Sequence, residues 1–150
     1  MIKGSGFDGT TETVLNKDLK IMRVKNKKDI FLYTIPLVAW TLLMITVSSI
    51  PGKKLPEVHL FQWDKLAHSF EFFIFTLLFA RYLYFAKHFS IKQSLSYCLS
   101  IGIVYAVLDE VHQLFIPNRC CTWQDFLADS LGIVVGCIVA GYYLKRKVIS

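Results

Sequence analysis

Between Asp29 and Lys53 the chain runs for 23 residues without a charged side chain. As a helix rising about 1.5 Å per residue, such a stretch crosses a hydrocarbon core roughly 30 Å thick. A cleaved signal peptide would have an apolar region of roughly 7 to 15 residues ending in small residues. The run from Ile30 to Ile50 is longer and lacks that end, so it reads as a first transmembrane helix.

The rest of the chain repeats the pattern. Pro51-Gly52 and Pro56 break the first helix, and a loop leads to Trp63-Asp64-Lys65, an aromatic and two charges that mark a membrane boundary. A second apolar segment runs from Leu66 to Ala86. After a polar break at Lys87 to Lys92, a third spans Gln93 to Phe115 and is stopped by Pro117. The fourth, Asp125 to Leu144, is closed by Lys145-Arg146-Lys147. None alternates in the manner of a strand, so helices rather than a closed barrel satisfy the backbone.

Composition agrees, with 54% hydrophobic and 19% charged residues and a mean hydropathy of +0.45. A soluble domain needs a more polar shell. The same figures exclude disorder, and four cysteines are too few for a disulfide-stapled secreted domain. The expectation is an all-α integral membrane bundle of four transmembrane helices over 30–147. A polar tail over 1–29, helical in part from Glu12, precedes it.

A net charge of +6 would suggest nucleic acid in a soluble protein. Here basic residues flank apolar stretches instead of forming a patch, so no nucleic-acid partner is expected and the charges report orientation. Four crossings put both termini and the loop between the second and third helices on one side. That side carries 13 of the 17 Lys and Arg, against Lys53, Lys54, Lys65 and Arg119 on the other. By the positive-inside rule both termini are cytoplasmic, and the loops at 51–65 and 116–124 lie outside.

Polar residues inside the apolar segments then fall at one depth. Asp64, Lys65, His68 and Glu71 enter with the second helix, Asp109, Glu110, His112 and Gln113 leave with the third, and Asp125 and Asp129 re-enter with the fourth. All lie within two turns of the outer surface. His68 and Glu71 share a helix face, as do Asp109, His112 and Gln113 with Tyr105 one turn deeper, while Glu110 sits toward the edge. On the fourth helix Asp125, Asp129, Gly132, Gly136 and Ala140 form one stripe of about 80°, expected to face the other helices. Such residues can serve as interhelical glue, with carboxylates paired to His68, His112 and Arg119. So many charges at one depth favour a functional polar site, because burying them is a poor way to stabilise a bundle.

Three motifs in order carry a family resemblance. They are Asp64-Lys65-Leu66-Ala67-His68 with Glu71, then Asp109-Glu110-Val111-His112-Gln113-Leu114-Phe115-Ile116-Pro117-Asn118-Arg119, then Asp125-Phe126-Leu127-Ala128-Asp129-Ser130-Leu131-Gly132. With the Ser-Ser-x-Pro-Gly run at Ser48 to Gly52, the chain from Phe31 to Leu144 resembles the VanZ-like family of small bacterial membrane proteins. Cys120-Cys121 departs from the small polar residues expected after the arginine. The resemblance implies a multi-pass protein of the bacterial cytoplasmic membrane, with a namesake associated with resistance to the glycopeptide teicoplanin. It implies no settled reaction. Teicoplanin acts on peptidoglycan precursors outside that membrane, the side on which the charge count puts the polar cluster.

The leading expectation is a site that binds, and in one version chemically alters, the head group of an envelope lipid or lipid-linked precursor. Candidate catalytic residues are His68, Glu71, Asp109, Glu110, His112 and Asp129, as acids, bases or proton carriers. Lys65, Gln113, Arg119 and Asp125 are candidate substrate-binding residues, with Arg119 suited to a phosphate or carboxylate. Asp109, Glu110 and Asp129 could hold a divalent cation such as Mg²⁺, Mn²⁺ or Zn²⁺. No ligand spacing matches a defined metal signature, so no cofactor is assigned. No nucleophile elbow, P-loop or His-Glu-x-x-His motif is present. A second expectation is a non-catalytic accessory protein that partners an envelope enzyme, for which the Gly132 and Gly136 stripe and lipid-facing aromatics such as Phe72 and Phe75 would matter as much as the carboxylates. Ion transport is disfavoured, since the inner half offers only Arg81, with its charge drawn to the cytoplasmic surface. Cys98 and Cys137 read as small packing residues, Cys120 and Cys121 as free thiols of the outer loop.

Overall fold

A computed structural model describes residues 9–51, 60–119 and 122–149, with side chains at 27–28, 30–51, 65–119 and 122–148. The expectations for Lys53, Lys54, Pro56, Cys120 and Cys121, and for the side chains of Trp63 and Asp64, lie outside the described residues. The described chain is helical throughout: α1 spans Gly9–Ser48, α2 Leu60–Arg81, α3 Ile91–Gln113 and α4 Trp123–Ile149. Four spans, Ile30–Ser48, Lys65–Ala86, Ile91–Gln113 and Trp123–Val148, are long and apolar enough to cross a membrane. Apolar side chains on their outer faces, among them Phe31, Val104, Leu131 and Ile138, are exposed as a lipid solvent requires.

The helices differ from the sequence expectation mainly at their ends. α1 begins at Gly9, 21 residues before the first span at Ile30, and passes through Pro36 without stopping, reaching about 60 Å at 1.5 Å per residue. α2 widens at its end into a π-helical turn, Tyr82–Ala86, in which the Lys87 N–H reaches back to the Tyr82 carbonyl at 3.2 Å. The chain then reverses through His88, whose φ of 58° is left-handed. Ser90 restarts it as the N-cap of α3 in a capping box with Gln93. α3 ends at Gln113, four residues before the proline expected to stop it, and the turn that follows carries a left-handed Asn118.

α2 packs most extensively on α4, with α3 beside α4 and α1 against the end of α2. The α4 stripe makes the closest crossing: a Cβ on Gly132 would collide with the Ser69 carbonyl oxygen, and one on Gly136 would stand 2.7 Å from Thr76 Cβ. As expected, this stripe turns inward and takes Asp125 and Asp129 with it.

Two apolar clusters fill the bundle. Met44, Phe72, Phe75, Ala106 and Ile133 lie toward the polar end, and Ala80, Leu83, Cys98 and Ala140 toward the other. Phe72 and Phe75 correct an expectation, because both are buried rather than lipid-facing. They share the inward face of α2 with His68 at helical spacing, and their rings pack on Tyr105 from α3. Cys98 and Cys137 pack within the bundle, with Sγ atoms directed at the Thr76 and Leu95 carbonyls. Arg81 is exposed and lies over the Tyr33 ring of α1.

Candidate functional site

Every candidate catalytic or binding residue named from the sequence gathers at one end of the bundle. Its outer rim is built by a cap. Thr122 precedes α4; its hydroxyl accepts the Asp125 backbone N–H at 3.3 Å and donates to Asp125 Oδ2 at 2.6 Å. The same amide also donates to the Thr122 carbonyl at 3.0 Å, so Thr122 holds the first turn of α4 by both backbone and side chain. Asp125 Oδ1 is left for Lys65 Nζ, 2.8 Å away, which ties the second turn of α2 to the first turn of α4.

One turn deeper, His68 Nδ1 and Asp129 Oδ1 lie 3.1 Å apart. Asp129 is fully buried, and its second oxygen, Oδ2, has no hydrogen-bond partner among the described residues. A buried carboxylate oxygen in that state is costly unless something else meets it. From α3, buried Asp109 approaches the same place, with its Oδ2 accepting from Gln113 Nε2 at 2.9 Å. One ring nitrogen of His68 and one carboxylate oxygen from each aspartate lie within 4.8 Å of one another. Glu71, half-buried on α2, faces His68, Asp109, Asp129 and Arg119. Tyr105 forms the floor, with its ring against Phe72 and Phe75 and its hydroxyl buried without a partner among the described residues.

The remaining candidates turn toward the loop and α1. Glu110 is buried rather than at the edge, and the Thr122 N–H donates to Glu110 Oε2 at 3.2 Å. His112 Nε2 meets the Ser49 hydroxyl at 3.1 Å. Arg119 donates from Nε to the Ile50 carbonyl and from Nη2 to the Val47 carbonyl, both at 3.2 Å. Val47 is in the last turn of α1 and Ile50 two residues beyond it, where a cation stabilises a helix C-terminus.

Ten candidates therefore divide by position. His68, Glu71, Asp109 and Asp129 converge, Gln113 orients Asp109 from behind, and Lys65 with Asp125 closes the rim. Glu110, His112 and Arg119 join the site to its surrounding loop and to α1. A converging imidazole and carboxylates can accept, hold and pass protons, or ligate a cation. Sequence reasoning did not single out Thr122, and it named Ser49 only within the Ser-Ser-x-Pro-Gly run, without a role. Thr122-Trp123-Gln124-Asp125 carried a legible signal, a helix-start pattern of Thr and an acid three residues on. Nothing local to Ser49 showed its contact with His112, which is 63 residues away.

A multi-pass helical membrane protein with a buried histidine and carboxylate site at one end of its bundle is the class these features define. The chain belongs to the VanZ/LLP1 family, whose model matches residues 11–144. That match takes in most of all four helices, every residue of the site, and residues before Phe31. No curated protein and no solved structure matches the chain.

Proposed function

We propose that this protein works at the outer face of the bacterial cytoplasmic membrane, where its polar site receives the head group of an envelope lipid or a lipid-linked peptidoglycan precursor. The observation that carries this reading is Asp129, fully buried in a membrane-spanning helix with one carboxylate oxygen unmet. The positive-inside count supports the outer side. A lipid is favoured over a soluble ligand by a cavity of about 470 Å³ between α2 and α4, lined by Leu66, Phe70, Phe73, Leu131 and Val135 and reaching Ser69 and Gly132. It offers an acyl chain an apolar berth one residue along α2 from His68. The family's association with teicoplanin fits a protein that alters or sequesters a precursor on that side.

The test compares envelope lipids and peptidoglycan precursors by mass spectrometry, together with teicoplanin susceptibility, in cells with and without the gene. Loss of the gene should change at least one head-group species. The wild-type gene should restore it, whereas Asp129→Asn should fail at least tenfold while the protein still accumulates in the membrane. Full restoration by Asp129→Asn would sink the proposed site. A second reading, a non-catalytic accessory that steadies an envelope enzyme, is favoured by the ties Lys65–Asp125, Gln113–Asp109 and Arg119 to α1, which serve rigidity as well as chemistry. It predicts an unchanged lipid profile beside a changed susceptibility.

A further inference from the structure

We infer that His68, Asp109 and Asp129 bind one divalent metal ion of the Mn²⁺ or Zn²⁺ class. The three residues come from α2, α3 and α4, all are buried, and their ligand atoms already lie within 4.8 Å of one another. Metal bonds of about 2.0–2.2 Å to nitrogen and oxygen set neighbouring ligands roughly 3 to 3.5 Å apart. His68 Nδ1 and Asp129 Oδ1 meet that spacing at 3.1 Å, so small side-chain rotations close the triangle.

Two further observations point to a cation rather than to a bare acidic cluster. Asp129 Oδ2 is buried with no partner among the described residues, the state of an acceptor awaiting a ligand. Asp109 is held from behind by Gln113, which occupies Oδ2 and orients the carboxylate, as the outer partners of metal-binding carboxylates do. Charge leads to the same conclusion. Glu71 and Asp129 both face Asp109 and the His68 ring, and an imidazole that ligates is neutral. A divalent ion offsets the carboxylates that meet at this point.

One nitrogen and two carboxylate ligands suit Mn²⁺ or Zn²⁺ better than Mg²⁺, which prefers oxygen and retains its waters. Three protein ligands leave coordination positions open for water or a ligand oxygen. The ion's binding does not depend on the head-group reading. It would, however, let an acidic site accept an anionic phosphate, because a bound ion reverses the local field.

The test uses full-length, tag-free protein in lipid nanodiscs, stripped with EDTA and dialysed against Mn²⁺, Zn²⁺ or Mg²⁺. Elemental analysis should find about one Mn²⁺ or Zn²⁺ per chain and little Mg²⁺, and metal should raise the unfolding temperature by joining three helices. Asp109→Asn and Asp129→Asn should each weaken binding at least tenfold. Glu110→Gln, which the geometry leaves out of the ligand set, should retain it. If the asparagine variants fail to fold, X-ray absorption on Zn²⁺-loaded wild type decides the matter, with one imidazole and otherwise oxygen ligands expected. Stoichiometry below about 0.1 for both ions, sulfur in the first shell, or loss of binding in a folded Glu110→Gln would overturn the assignment.

Discussion

At Gly132 a single hydrogen stands where the backbone of α2 passes, and nothing larger fits beside the Ser69 carbonyl. Ala is a better helix former than Gly by about 1 kcal/mol, so a gain on Gly132→Ala would be the result for an isolated helix. In this bundle the collision is with backbone rather than a movable side-chain end, and the overpacking cost of about 1–3 kcal/mol is expected to win. Denaturant unfolding in detergent should show Gly132→Ala less stable than wild type, and Gly136→Ala, opposite the Thr76 side chain, affected less. The two glycines were visible in the sequence as a spacing. The faces of Phe72 and Phe75 were not, because an aromatic on a membrane helix is equally at home against lipid or core.

Among the elements, α4 depends on its start. Thr122 gives its hydroxyl to Asp125, and its backbone N–H meets Glu110, so one residue outside the helix secures the rim and a buried carboxylate together. Thr122→Ala should cost about 1 kcal/mol, and Thr122→Ser, which keeps the hydroxyl, should recover most of it; equal stability of the two variants would contradict the cap. Such a cap is local and can be read three residues at a time. The mooring of α1 is different. Trp40 Nε1 donates to the Glu71 carbonyl at 3.0 Å, and Arg119 reaches carbonyls at the end of α1. Both join residues far apart in sequence, and no local pattern announces them.

At the scale of the whole molecule, all of the site's described groups lie at one end and the exposed cations Arg81, Lys87, Lys92 and Lys145 at the other. If the positive-inside reading holds, a fluorescent-protein fusion after Ser150 should fluoresce and an alkaline phosphatase fusion at Asn118 should be active. The reverse pair would place the polar site in the cytoplasm and end the envelope reading. Number of spans, depth of the polar residues and the inward stripe of α4 were legible in the sequence alone, because a bilayer imposes length and apolarity on each helix separately and periodicity fixes each helix's own face. What only the tertiary structure decided is which groups meet. Glu110 sits toward an edge by its angle on α3, yet it is buried with the Thr122 N–H on its carboxylate, a contact the angle does not include. Arg119 was set aside for a ligand, yet it reaches the end of α1. His68, Asp109 and Asp129 come from three helices whose relative rotation no single segment encodes, since it follows from how the Gly132 and Gly136 face seats on α2.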